Sequence, residues 1–174
     1  MKNIELYVPM IDDLWFRQQC MSDPKTMSYN AGYDVGYYGY HYETGCIDFP
    51  EEKWEEWIAG KLKNTNFFYA YILDNEAERF VGYVNFDMNP DTKKATMGIV
   101  VKSEYQGQGY MRPAMDLLVR KAKEKGVKSL VDTVPETRKG ALKVFYEIGF
   151  VKVGQFLSKK FGKDEVVAEI ELKL

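Results

Sequence analysis

Apolar residues recur along this chain with two periods, and each change of period marks an element boundary. Residues 4–8 alternate and predict a first strand; residues 11–21 carry Leu14, Trp15 and Gln18 at helical spacing and predict a helix. From 22 to 50 the pattern lapses into a stretch rich in Gly, Tyr and Asp, read as irregular structure with one more helical turn. Loops this long in compact domains are usually functional or mobile. Residues 51–63 set Trp54, Trp57, Ile58 and Leu62 on one helix face, just after Pro50. Three strands follow, over 66–73, 80–88 and 95–101, with turns at 74–76 and 89–91, which is an antiparallel meander. A helix over 110–125 buries Ala114, Leu117, Leu118 and Ala122, tolerates Pro113 in its first turn and stops at Gly126. A strand over 128–134 precedes a helix over 136–148 with Ala141, Val144, Phe145 and Ile148 inward, and Thr133 and Glu136 at capping-box spacing. Gly149 ends it, and strands over 150–158 and 165–174 close the chain.

A length of 174 residues predicts one domain over 1–174. With 45% hydrophobic and 29% charged residues the composition is that of a soluble globular protein. A net charge of −2 gives no broad basic field, which argues against nucleic acid as a partner. The first residues lack the apolar core of a signal peptide, and the longest apolar run, 67–73, is too short to span a bilayer. The expectation is a soluble cytoplasmic protein without a membrane partner. Cys20 and Cys46 read as free thiols, and with His41 as the one histidine the chain offers no ligand set for a metal.

Gln106-Gly107-Gln108-Gly109-Tyr110-Met111 lies between the apolar run 97–101 and the helix that begins near Tyr110. A strand that empties through glycines into a helix N-terminus builds an anion site, because the glycines admit a phosphate to the backbone and first-turn N–H groups point at it. Taken alone, the two glycines mark a tight turn equally well. The Lys-Ser/Thr ending of a P-loop is absent, and a dinucleotide fingerprint belongs in the first strand–helix unit of a parallel sheet, not after an antiparallel meander.

Some 35 residues on, the segment Ala141-Leu142-Lys143-Val144-Phe145-Tyr146-Glu147-Ile148-Gly149-Phe150 ends a helix and enters a strand. Together with the glycine loop it resembles the GCN5-related N-acetyltransferase family, whose signatures are Gln/Arg-x-x-Gly-x-Gly/Ala after a strand and a helix ending in Phe/Leu-Tyr-x-x-x-Gly-Phe. The order of elements is similar over essentially the whole chain. The resemblance implies an α+β sandwich with a mixed, mostly antiparallel sheet of about seven strands flanked by about four helices. It implies acetyl-coenzyme A as co-substrate and direct transfer of its acetyl group to a primary amine, on a small molecule or a peptide N-terminus. The pyrophosphate would meet the loop Gln106, Gly107, Gln108, Gly109, Tyr110, Met111 and Arg112, chiefly the amides of Gln108, Gly109, Met111 and Arg112. The pantetheine arm would pair with the backbone of Ile99, Val100 and Val101. Met111 stands where the family carries Gly or Ala, and Lys139 where many members carry Asn. Lys139 or Arg138 either reaches a coenzyme phosphate or forms a solvated helix end.

Acetyl transfer to an amine needs a neutral nucleophile, a stabilised oxyanion and a proton for the leaving thiolate. The resemblance assigns the last role to Tyr146, a phenol of pKa ~10 facing a thiolate whose conjugate acid has pKa ~8.5, and the oxyanion donor to a backbone amide near Ile99 and Val100. The general base is left open. Thr96 lies near the position where many members carry Glu, and Asp87, Asp132, Glu43, Asp48 and His41 each have a structural reading too. The tyrosine-rich stretch 29–43 falls where the family shapes its acceptor pocket; its rings also suit loop packing or a homodimer contact. Thr96 and Met111 keep a second reading alive, a non-catalytic acyl-coenzyme A-binding or regulatory module; an interaction protein using the tyrosine-rich loop is a third.

Overall fold

The computed structural model describes residues 2–174. Its alternating segments become one sheet of seven strands: β1 (Ile4–Tyr7), β2 (Phe67–Asp74), β3 (Arg79–Met88), β4 (Lys94–Val101), β5 (Ser129–Pro135), β6 (Val151–Lys160) and β7 (Lys163–Lys173). The spatial order is β1-β2-β3-β4-β5-β7-β6. Every neighbouring pair is antiparallel except β4 and β5. A parallel pair needs a crossover, and the connection through α4 (Met111–Glu124) provides it.

The remaining helices are α1 (Leu14–Met21), α2 (Pro24–Met27), α3 (Trp54–Trp57) and α5 (Lys139–Ile148). The short α2 is the extra turn expected in the irregular stretch, and α3 runs on into a wider turn over Ile58–Leu62. Strand alternation divides the side chains between two layers. Phe68, Ala70 and Ile72 face the core beneath α4 and α5, with Ala114, Leu118 and Phe145. Tyr69, Tyr71 and Tyr83 face the other way, against Phe16 and Cys20 of α1 and the half-buried Trp57. Both cysteines are free and buried, and burial pushes the Cys20 thiol up to about 12.

One expected boundary moves. The last helix begins at Lys139, not at 136, because the segment before it stays in the sheet: Pro135 pairs with Val167 and the Glu136 amide donates to the Val166 carbonyl at 2.9 Å. The capping box at Thr133 and Glu136 therefore does not form, and Arg138 precedes the helix without a side-chain cap.

A buried hydrogen bond fixes the start of α4. The Tyr110 hydroxyl donates to the Asp74 carboxylate at the end of β2, and both residues are buried. Asp74 also accepts the Glu76 and Ala77 amides. The Tyr110 hydrogen bond, aided by these amides, holds the Asp74 carboxyl below its ordinary value against the effect of burial. A depressed carboxyl stabilises the fold above its unfolded pKa and loses that contribution as pH falls through the folded value. Tyr110→Phe is therefore expected to lower the unfolding free energy by about 1–3 kcal/mol at neutral pH. Urea denaturation should show that difference shrinking below pH ~4.

Candidate functional site

β3 holds β4 along its length, from Ala95 opposite Met88 to Val101 opposite Gly82. β5 holds only the beginning, where Lys94, Ala95 and Thr96 pair with Ser129, Leu130 and Val131; beyond them the strands part. The Lys102 amide donates to Val81 at 2.9 Å and the Asn89 amide to Lys94 at 2.8 Å. By alternation, even-numbered residues of β4 turn their main-chain groups to β3 and odd-numbered ones toward β5. Ile99 and Val101 thus present N–H and C=O to the opening, with the Met97 C=O beside them, and Gln106 Nε2 donates to the Val101 carbonyl at 2.9 Å. Val100 differs from the expectation that grouped it with Ile99 and Val101. Its main-chain groups belong to the pairing with Tyr83, and its side chain packs in the aromatic layer.

The glycine loop lies at the end of this opening. Gly107 and Gly109 have φ of 73° and 84°, a region costly to any residue with a side chain. A Cβ at either would meet no atom within 4 Å, so the space around both is open. Gln108 Nε2 donates to the Glu104 carbonyl at 2.8 Å. Helix α4 begins at Met111, so the Met111 and Arg112 amides have no acceptor inside the helix, and Pro113 has no N–H at all. Met111 packs against the α4 core and also borders the cleft; Arg112 is exposed, with Nε 3.6 Å from Asp116. Tyr110 is an anchor, its side chain turned inward to Asp74. The cleft between the parted strands encloses about 550 Å³, with Ile99 and Val101 on one wall and Val134, Ala141, Val144 and Phe145 on the other.

Tyr146 is not in this cleft. Phe145 lines it and is 3% exposed, whereas Tyr146 is 43% exposed beside Lys139 and Lys143 on the outer side of α5. The reason is a frame of one residue. The family signature has three residues between its tyrosine and its glycine, and counting back from Gly149 puts Phe145 at the tyrosine position. One step along a helix rotates a side chain by about 100°, enough to carry Tyr146 out of the site. Lys139 likewise faces outward, while Arg138 borders the cleft.

A second cavity of about 460 Å³ opens on the aromatic side of β4. Tyr29, Tyr33, Tyr83, Asn85, Phe156 and Ser158 contribute its walls. The tyrosine-rich stretch is pinned there by the β6–β7 hairpin. The Phe161 amide donates to Gly32 at 2.7 Å, the Tyr33 hydroxyl donates to Glu165 at 2.5 Å, and a Cβ on Gly32 would strike the Phe161 ring at 2.5 Å. The hairpin turn itself needs positive φ at Phe161 (50°) and Gly162 (73°), the geometry that matches strand twist.

The candidate bases separate cleanly. His41 is exposed and 2.8 Å from exposed Asp48; Asp87 is 3.8 Å from Lys61; Glu43 and Thr96 are exposed. Asp132 alone among them borders both cavities. Burial pushes its carboxyl up to about 7, against the Thr133 amide and Arg138, which act downward. That environment, set by strand parting, has no signature in a linear sequence. Among the described residues no group of three or more His, Cys, Asp or Glu could hold a metal, and no helix is long and apolar enough to cross a membrane.

The fold has solved counterparts. The spermidine N-acetyltransferase of Vibrio cholerae, in complex with CoA and spermine, superposes with a TM-score of 0.80 at 17% identity over 98% of this chain and 95% of that one. A phenylalanine-to-glycine mutant of that enzyme gives 0.77 at 16% identity over 98% and 93%. An Acinetobacter baylyi protein named provisionally as an acetyltransferase gives 0.75 at 17% over 100% and 93%. No curated protein matches the chain in sequence. The family model for the acetyltransferase (GNAT) family matches residues 18–150, which include the parted strands, the glycine loop and α5. The chain belongs to the acetyltransferase (GNAT) family and, with it, to the enzymes that move an acetyl group from acetyl-coenzyme A to an amine.

Proposed function

We propose that this enzyme acetylates a primary amine on a small acceptor whose body is otherwise uncharged, by direct transfer between two substrates bound side by side. The observation that carries this reading is the free edge of β4, where a cleft suited to the coenzyme meets a cavity suited to the acceptor along Ile99, Val101 and Gln106 on one side and Asp132 and Arg138 on the other. The coenzyme fits what the cleft offers. Ile99 and Val101 supply main-chain donors and acceptors for an amide-rich arm. Gly107 and Gly109 leave open space, and the Gln108, Gly109, Met111 and Arg112 amides are available to a pyrophosphate. Gln106 and Tyr110 serve as braces, through the Val101 carbonyl and Asp74. The coenzyme supplies the activated acetyl group; an Ile99 amide turned to the cleft is the chain's donor for the developing oxyanion.

The acceptor differs from that of the Vibrio cholerae enzyme. A polyamine carries several positive charges and needs several carboxylates. Among the described residues this cavity is bordered by one carboxyl, Asp132, and one cation, Arg138, so it offers no net negative charge to a polycation. Its remaining walls are mainly rings, hydroxyls and amides, which favour a single amine on an aromatic or apolar body.

Calorimetric titration with acetyl-coenzyme A should give one site per chain, and no heat at millimolar ligand would sink the reading. Gly109→Ala, forced to hold a positive φ worth ~1–2 kcal/mol, should weaken that binding about tenfold. In an acceptor panel, aromatic and alkyl monoamines should outpace spermidine in kcat/KM; the reverse order would reject the uncharged-body acceptor. Tyr146→Phe should keep kcat within twofold of the parent at saturating substrates, and a large loss would return the general-acid role to Tyr146.

A further inference from the structure

We infer that Asp132 is the proton carrier of the transfer, taking the proton from the amine nitrogen and delivering it to the departing sulfur. The inference rests on the transferase reading above. Asp132 is the one carboxylate bordering either cavity, and it borders both. Its position follows from the strand. Leu130 and Val134 point into the core beneath α4 and α5, so Asp132 between them points to the same face. It is also the first residue of β5 beyond the last pair with β4, Val131 opposite Thr96, so it lies where the strands open. Its Oδ1 accepts the Thr133 amide at 2.8 Å, and its Oδ2 accepts no hydrogen bond from the described residues.

The other proton carriers near the thioester end are accounted for. Phe145 has no proton to give and Tyr146 faces solvent. The Tyr110 hydroxyl is bound to Asp74, and burial together with Glu104 holds the Tyr105 phenol above its ordinary value. Of the charged groups bordering the cavities, Arg138 at the start of α5 faces Asp132, and Arg112 lies near Asp116. The other titratable groups there are Tyr29, Tyr33 and Tyr83 on the acceptor side and Tyr105 and Tyr110 on the coenzyme side.

The step balances without a further reactant. The neutral amine nitrogen forms a bond to the acetyl carbon and loses one proton to Asp132 Oδ2. The carbon–sulfur bond breaks with its electron pair on sulfur, which takes that proton, and the carboxylate is restored. An acceptor that arrives as ammonium first releases a proton to solvent. A carboxyl that titrates near neutrality, as burial makes this one do, serves both as base and as acid.

The test compares the whole protein with Asp132→Asn and Asp132→Glu, using acetyl-coenzyme A and the best monoamine from the panel. Asp132→Asn should lower kcat about 100-fold and leave coenzyme affinity by calorimetry within twofold. It should also remove the rise of kcat/KM with pH centred near 7, and Asp132→Glu should restore part of both. A readout without substrates accompanies this. A raised carboxyl stabilises the fold below its unfolded pKa and loses that contribution as pH rises through the folded value. The parent should therefore lose thermal stability relative to Asp132→Asn between pH 5 and 8. A stability difference that stays flat over that range, or an Asp132→Asn enzyme within threefold of an active parent, would overturn the relay alone. A parent inactive on every amine would overturn the transferase reading and the relay with it.

Discussion

The site depends on a mismatch of partners in the middle of the sheet. β4 is paired with β3 throughout, and β5 with β7 from Ser129 to Pro135. Each is held on its outer edge, so neither can turn to follow the other once their shared ladder ends at Thr96 and Val131. The result is a row of main-chain groups, the Met97 C=O and both groups of Ile99 and Val101, that the sheet does not use. Buried polar groups of this kind are costly unless paired or wet. The chain answers part of the demand itself, with the Gln106 amide on the Val101 carbonyl. The rest is a template for an extended, amide-bearing ligand. The glycine loop adds to this template but does not create it, since a phosphate site without the open edge would hold only one end of a coenzyme.

The wall behind the acceptor cavity is stiff for a different reason. Arg17 of α1, half-buried, packs its guanidinium among Phe49, Trp57, Tyr69 and Tyr83, with the guanidinium carbon 4.5 Å from the Trp57 ring centroid and 5.2 Å from that of Tyr69. No carboxylate lies within 4.0 Å of it among the described residues. Burial works to lower its pKa, but Tyr69 and Tyr83 act the other way and the guanidinium stays charged. The rings replace part of its lost hydration. Arg17 thus fixes α1 to the sheet face on which Tyr83 lines the acceptor cavity. A second tie runs through Asp23, which caps α2 by accepting the Lys25 and Thr26 amides and also accepts the Ser103 hydroxyl at 2.8 Å. The turn that leads into the glycine loop is thereby joined to the helix beside the acceptor cavity.

Local features of the sequence foretold the parts of this architecture that local physics decides. The meander, α4 and the glycine stop at Gly149 follow from periodicity and backbone preference, and the structure has them within a residue or two; in the α4 stripe Ala114, Leu118 and Ala122 are buried as expected, while Met115 is buried in place of the half-buried Leu117. Features that depend on contacts far apart in sequence were hidden. The tie between Tyr33 and Glu165 spans 132 positions, and no pattern near Gly32 announces the Phe161 ring packed on it. Asp132 was one carboxylate among several, because its environment exists only once β4 and β5 part. The outward placement of Tyr146 has another cause. A motif read one residue out of frame still looks plausible as letters, but a helix converts that slip into opposite faces.

The geometry also explains why a single carboxyl can serve both substrates. β4 is one strand thick. Ile99 and Val101, on the free edge, border both the coenzyme cleft and the acceptor cavity, while Met97, Gly98 and Val100 border the acceptor cavity alone. The strand itself blocks direct passage between them, since β3 closes its other edge. Reacting atoms can meet only around the open edge, in the gap that begins beyond Val131. The next position on β5 borders both cavities. In this chain that position holds Asp132, while the neighbouring wall on α5 holds the aprotic Phe145. With Phe145 on the α5 wall and a carboxyl at the junction, the relay proposed for Asp132 runs from the strand and asks nothing of the helix.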